Sequence, residues 1–144
     1  MTSNVAQVFV DDAEWHRTLE ALARAVRVGG WLVFETRDPA ERAWRHWSKK
    51  LTFRRLDTAD GGAFATWTEL IEVDEPLVTF RHVFEIDRDG STLTSESTLR
   101  FRTRNEIVTD LKHAGFQTRD VRDAPDRPGL EFVFFAQRNP PTLA

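Results

Sequence analysis

The stretch Arg24-Ala-Val-Arg-Val-Gly-Gly-Trp-Leu-Val-Phe-Glu-Thr-Arg37 decides the fold. Gly29 or Gly30 can take the left-handed conformation that closes a helix, and the Trp31-Leu-Val-Phe34 that follows is apolar enough only for an interior strand. A helix, a glycine stop and a buried strand make the crossover from which parallel α/β sheets are built. Upstream, Asp11 stands three residues before Glu14, the spacing of a capping box. Trp15, Leu19, Leu22, Ala23 and Val26 then recur on one face, so the spacing predicts an amphipathic helix leading into the crossover. Residues 4–10, ahead of that helix, read either as a strand end or as a loop.

The totals bound the rest. A chain of 144 residues with 40% hydrophobic content is the size of one domain and can bury a real core. A net charge of -3 gives no broad positive field, which argues against nucleic acid as a partner. No cysteine is present, so disulfides, thiolate metal sites and cysteine nucleophiles are excluded, and a reducing cytoplasm is the expected compartment. No signal peptide or membrane-length apolar run occurs, so no membrane partner is expected.

Downstream of the crossover, Asp38 and Pro39 suit the cap and first position of a second helix, expected over residues 41–50 with Trp44 and Trp47 on one face. The hydrophobic period then changes to two. Residues 51–57 and 63–73 flank Ala59-Asp-Gly-Gly62 and read as a hairpin. With Gly61-Gly62 as its loop, Leu56 faces Trp67, Phe53 faces Leu70 and Arg54 faces Glu69. A second hairpin joins residues 77–87 and 92–102 around Asp89-Gly90. That register pairs Arg81 with Thr98 and Thr79 with Arg100 on a polar face, and sets His82 opposite Ser97 in the middle of an apolar one. Thr103 and Glu106 form another capping box before a helix that Gly115 stops. A strand over 116–122, a loop over 123–129 and a strongly apolar strand over 130–136 complete the chain, with Pro140-Pro141 ending the structure.

Two windows, residues 4–38 and 99–138, resemble class I S-adenosylmethionine-dependent methyltransferases. In that family a helix ending in proline-glycine-glycine feeds the fifth strand; here Val28-Gly-Gly30 stands at that place. Glu106-Ile-Val-Thr-Asp-Leu-Lys-His-Ala-Gly-Phe116 is similar to the family's penultimate helix and its entry to the sixth strand. Phe132-Val-Phe-Phe-Ala-Gln-Arg138 is similar to its closing antiparallel strand. The family binds its cofactor through a glycine-rich loop after the first strand, and no G-x-G run occurs in this sequence. The resemblance therefore implies the C-terminal portion of such an enzyme. Its fold class is α/β, locally α+β: strands five, seven and six of a Rossmann-like sheet with their helices, plus a four-stranded antiparallel insertion. It implies one domain over residues 1–144, with the partial core at 1–50 and 103–138, the insertion at 51–102 and a tail at 139–144.

The implied function is S-adenosylmethionine-dependent methyl transfer to a small-molecule acceptor, in a chain that is either inactive alone or needs a partner. By resemblance Asn4 and Gln7 lie beside the cofactor's methyl group, at the carboxyl end of the fourth strand. Arg37, on the same rim at the end of the fifth strand, offers a bidentate grip for a substrate carboxylate or phosphate, or else an ion pair with Asp38 or Glu41. Trp44, Trp47 and Trp67 are candidates to line the substrate pocket, since an indole face attracts amines; packing in a core is the other reading of the Trp44/Trp47 spacing. His82 is a candidate general base, set against a plain hydrogen-bonded role in a half-buried sheet. His16, His46 and His113 have no spacing that gathers a metal. Without a preceding fourth strand, residues 31–34 form an apolar edge unless residues 4–10 fold back on it, so the chain is expected to form homo-oligomers or to pair with a separate N-terminal half. The rival reading is a non-enzymatic small-ligand-binding or oligomerisation domain, with Trp67, Phe80, His82 and Phe84 lining a pocket in the β insertion.

Overall fold

The computed structural model describes residues 1, 3–59 and 61–140, arranged as two compact units. The first comprises residues 1–41 and the chain from Arg100 onward; the second is Arg42–Leu99. Residues 42–50 thus belong with the four-stranded sheet, and residues 100–102 with the other unit.

The first unit follows from its helix ends. Asp11 Oδ1 accepts the Glu14 N–H at 2.8 Å and opens α1 (Asp12–Ala25), which buries Trp15, Leu19 and Ala23. Gly29, at φ 77°, turns the chain, and its N–H donates to the Arg138 carbonyl at 2.9 Å. Strand β1 (Trp31–Arg37) follows, burying Leu32, Phe34 and Thr36 in alternation. At the other end of the chain, Thr103 and Glu106 form the expected reciprocal capping box for α3 (Arg104–His113). Gly115, at φ 89°, leads on to β6 (Phe116–Ala124), which turns into β7 (Arg127–Arg138).

The sheet order is β1-β7-β6, and both pairings are antiparallel. This is the five, seven, six order, with an antiparallel closing strand in the middle, that the family resemblance implies. The expected loop over 123–129 is instead mostly strand, because β6 and β7 form one hairpin whose pairing runs on to Ala124 and Arg127. Trp15, Phe34 and Phe134 stack through the core. Trp15 meets Phe34 edge-on at 6.0 Å, and Phe34 lies on Phe134 at 5.3 Å. Ile107, Leu111 and Phe116 close the same core from α3 and β6.

The second unit is a four-stranded antiparallel sheet, β2 (Arg54–Asp57), β3 (Ala63–Asp74), β4 (Leu77–Ile86) and β5 (Thr92–Arg100), in that order. The helix expected over 41–50 does not form. Arg42 takes φ 45°, a left-handed conformation that no helix interior accepts, and splits the segment into 3₁₀ turns at Pro39–Glu41 and Ala43–His46 before the one-turn α2 (Lys49–Thr52).

Both hairpin registers differ from expectation. In the first, Arg54 pairs Thr66 and Leu56 pairs Phe64, a slip of three that moves Leu56 off the face of Trp67. The reason lies in the loop: of Gly61 and Gly62 only Gly61 has a positive φ, so the two-residue type I′ turn cannot form, and Thr58 N–H bonds to Gly62 O instead. Asp60, part of the expected turn, lies outside the described residues. In the second hairpin Gly90 alone is left-handed; Ile86 N–H reaches Ser91 O and Gly90 N–H reaches Ile86 O, enclosing a four-residue connection. Arg81 therefore meets Glu96 and Thr79 meets Thr98, two positions from the expected partners, which leaves each side chain on its expected face.

Candidate functional site

The carboxyl end of β1 gathers the polar side chains that the first unit buries near its sheet edge. Ser3 and Asn4 both have left-handed backbones, and a 3₁₀ turn (Val5–Val8) follows. Asn4 caps that turn and its carbonyl accepts the Gln7 N–H at 2.9 Å, which holds the two residues together. Gln7 Oε1 accepts a hydrogen bond from Arg37 at 3.0 Å, and Asn4 Nδ2 donates to Glu131 Oε1 at 2.9 Å. Arg37 and Glu131 are direct partners in the β1–β7 register. Arg127 donates to the same Glu131 Oε1 at 2.7 Å, and Ser3 N–H donates to Glu35 Oε1.

Asn4, Gln7 and Glu131 are each at least 97% buried, yet Asn4 Oδ1, Gln7 Nε2 and Glu131 Oε2 have no hydrogen-bond partner among the described residues. A native fold rarely leaves buried polar atoms unpaired, so these three call for a partner such as a buried water or a ligand group. Burial pushes the Arg37 guanidinium below its ordinary pKa, with Arg127 adding to that and Glu131 and Glu35 opposing it. Burial also works against the charge on Arg127, but Glu131 and Asp126 outweigh it and raise its pKa. Glu35 and Glu131 balance Arg37 and Arg127, so the cluster's formal charge is zero.

Three predicted site residues, Asn4, Gln7 and Arg37, therefore come together. The other four lie in the four-stranded unit. Trp44 is buried. Trp47 packs on Phe80 with ring centroids 4.8 Å apart. Trp67 pairs with Val83 and clusters with Ala65 and Val83, while Lys49 Nζ sits 3.5 Å over its ring and Glu69 accepts its indole N–H. Phe80, His82 and Phe84 alternate with Val83 and so occupy the opposite face from Trp67, which rules out the single pocket imagined for these four residues. His82 is exposed rather than central to an apolar face; its Nδ1 is 3.1 Å from Thr68 Oγ1 and its ring stands edge-on to Phe80. Glu131 and Arg127 were not foreseen as site residues. The available signal was a lone carboxylate inside the apolar run from Leu130 to Ala136.

No protein-family model matches this chain, and no curated protein matches it by sequence. Solved structures do match. A methyltransferase dependent on S-adenosylmethionine from Clostridium acetobutylicum aligns with 96% of this chain and 56% of its own, at TM-score 0.70 and 16% identity. The chain has the fold of part of a class I methyltransferase. The amino pentose methyltransferase CalS10 of Micromonospora echinaspora, solved with the cofactor bound, covers 96% of this chain and 57% of its own, at TM-score 0.67 and 16% identity. The sugar N-methyltransferase KedS8 of a Streptoalloteichus species covers 96% and 54%, at TM-score 0.64 and 17% identity. This chain spans little more than half the length of these proteins, and at such identities the likeness is one of fold. Set within that fold, the expected C-terminal portion and the inserted antiparallel sheet both have their counterparts in the two units. Among the described residues, no helix is long and apolar enough to cross a membrane.

Asn4 and Gln7 each carry a buried polar atom without a hydrogen-bond partner among the described residues. Of the glycines with positive φ, Gly29 and Gly115 follow helices, Gly61 and Gly90 sit in hairpin connections and Gly129 lies within β7. None of them opens a helix after a strand, as a nucleoside-binding turn would.

Proposed function

We propose that this chain is the acceptor-side part of an S-adenosylmethionine-dependent methyltransferase acting on a small molecule. The observation that carries the reading is the match of nearly the whole chain to several methyltransferases, sugar and amino pentose enzymes among them. Asn4 and Gln7 stand on the cofactor's side of the site, and Arg37 and Glu131 on the acceptor's side. The cofactor, when bound, supplies an electrophilic methyl group on a sulfonium; the protein's task is to align the acceptor and exclude water. Such chemistry asks for few catalytic side chains, which suits a site built from amides and one ion-paired cluster.

Cofactor binding by this reading needs a glycine-rich turn that the sequence does not contain, so activity depends on a complementary N-terminal half. β1 is an edge strand of its sheet, with Trp31 52% and Val33 39% exposed, and only the N-terminal segment meets its outer side, the Met1 amino group donating to the Val33 carbonyl at 2.7 Å; displacing that segment would make this edge the seam for that half or for a second copy. The test is reconstitution: the chain is mixed with, or fused behind, a methyltransferase N-terminal half carrying the glycine-rich loop, and S-adenosylhomocysteine is titrated calorimetrically. Saturable binding by the pair, absent from either part, is the expected result. A folded pair that binds no cofactor would overturn the reading.

A further inference from the structure

The two edges of the four-stranded sheet are guarded differently. β2, at one edge, has only four residues and opens with Arg54 and Arg55; short length and charge keep an edge from pairing with another chain. β5, at the other edge, runs for nine residues, Thr92-Leu-Thr-Ser-Glu-Ser-Thr-Leu-Arg100, with no proline or lysine among them. Residues from Thr92 to Ser97 are exposed. Its one carboxylate, Glu96, is already matched: Arg81 Nε and Nη2 donate to Glu96 Oε2 at 3.0 and 2.6 Å. The register also fixes which backbone groups are free. Arg81 meets Glu96, Thr79 meets Thr98, and Ile86 N–H bonds to Ser91 O. Facing residues of an antiparallel pair alternate between those that exchange backbone hydrogen bonds and those that do not. Counted on from Ile86 and Ser91, residues Leu93, Ser95 and Ser97 turn their N–H and C=O groups toward β4. Thr94, Glu96 and Thr98 turn theirs outward, where no strand lies among the described residues.

The sequence of this open edge is a palindrome about Glu96: Leu93, Thr94 and Ser95 mirror Leu99, Thr98 and Ser97. We propose that β5 is a self-association edge, along which a second copy of this chain pairs antiparallel about a two-fold axis at Glu96, joining the two four-stranded sheets into one. That register sets Thr94 against Thr98, Ser95 against Ser97 and Leu93 against Leu99 of the second copy. Every outward-facing residue then meets an outward-facing one, and the threonine pairs are favourable cross-strand neighbours. At the axis the two Glu96 carboxylates lie side by side, each with its own Arg81, so the four charges balance. A slip of two residues keeps the hydrogen-bond pattern but sets a leucine against a serine. This edge lies in the other unit from β1, and the pairing does not depend on methyl-transfer activity.

The chain has no cysteine, so an introduced one is its only thiol. Ser95→Cys and Ser97→Cys are made as separate full-length chains, and each alone and their equal mixture are treated with oxidised glutathione. In the proposed register position 95 faces position 97 of the second copy as a non-hydrogen-bonded pair, about 4.5 Å apart at Cα and within reach of a disulfide. The same position in the two copies is a diagonal neighbour at about 7–8 Å, too far to bridge. The mixture is therefore expected to run about half as a linked pair on a non-reducing gel, the share of mixed pairs under random assortment, and each variant alone only in traces. Thr94→Pro in both chains removes an outward N–H that the single sheet does not use. It is expected to raise the concentration at which the link appears about tenfold or more, two hydrogen bonds being lost by symmetry. Should that variant lose the circular dichroism of its sheet, Glu96→Arg, which gathers four guanidiniums at the axis, carries the same expectation. Equal linking of the single variants and the mixture, no link in the mixture, or unchanged linking in a folded Thr94→Pro or Glu96→Arg chain would overturn the proposal. Association through β1 does not bring positions 95 and 97 together, so the link reads β5 alone.

Discussion

Replacing Asp12 with alanine tests how the first unit is tied together. The Asp12 carboxylate bridges two arginines: Oδ2 accepts from Arg100 at 2.7 Å, and Oδ1 accepts from Arg102 at 2.9 Å. The same guanidiniums donate to the carbonyls of Val10 and Phe9, so they anchor the segment that carries Asn4 and Gln7 into α1. The Arg102 side chain is only 5% exposed, whereas that of Asp12 is 50% exposed. Two hydrogen bonds to a charged group are worth about 3 kcal/mol or more when dry, and water reaching the exposed carboxylate cuts this to about 2 kcal/mol. For a protein of this size that corresponds to a fall of about 6 °C in melting temperature near neutral pH.

The pH dependence has a definite sign. Burial alone would raise the Asp12 pKa, but the hydrogen bond from Arg102 and the charges of Arg100, Arg102 and His16 outweigh it and lower it. A carboxyl depressed in the folded state contributes stability above its unfolded pKa of about 3.9, and that contribution is lost as pH falls through the folded value. Thermal melts followed by circular dichroism, from neutral pH down past the carboxylate range, should show the wild type and Asp12→Ala converging at the acid end. A difference below about 0.5 kcal/mol near neutral pH would refute the reasoning, since that is the scatter of ordinary surface changes.

Other expectations are as direct. Phe134→Ala should cost about 3–5 kcal/mol in urea denaturation, because the ring is fully buried and stacked on Phe34. Gly115→Ala should cost about 1–2 kcal/mol: φ is 89°, and the new Cβ would fall 2.3 Å from an Arg138 nitrogen that must move away. Val33→Lys on the outer edge of β1 should shift sedimentation toward monomer with little change in stability; an unchanged association state would show that this edge is not the seam.

Much of the first unit could be read from sequence because its signals are local. Asp11 with Glu14, Gly29 before an apolar tetrad, and Thr103 with Glu106 each fix a boundary through one or two contacts of nearby residues. The misreadings fell where the outcome depends on the backbone conformation of single residues. Arg42 looks like an ordinary helix residue until its left-handed φ breaks the turn. The hairpin registers hinged on whether Gly62 and Asp89 would take positive φ, which composition does not decide. The site divided in the same way. Asn4, Gln7 and Arg37 came from the family resemblance and proved to be linked, whereas Glu131 is tied to Asn4 across 127 residues of chain, a contact that no local pattern announces.

The most direct measurement of the central claim is the response of Asn4 and Gln7 to the cofactor in the reconstituted protein. Side-chain amide spectra of the chain, paired with its complementing half, would be recorded with and without S-adenosylhomocysteine. The account predicts saturable shifts of the Asn4 and Gln7 amides, with the Trp67 indole N–H, held by Glu69 in the other unit, left in place. Shifts confined to the four-stranded sheet, or no shift at either amide once the cofactor is bound, would contradict it.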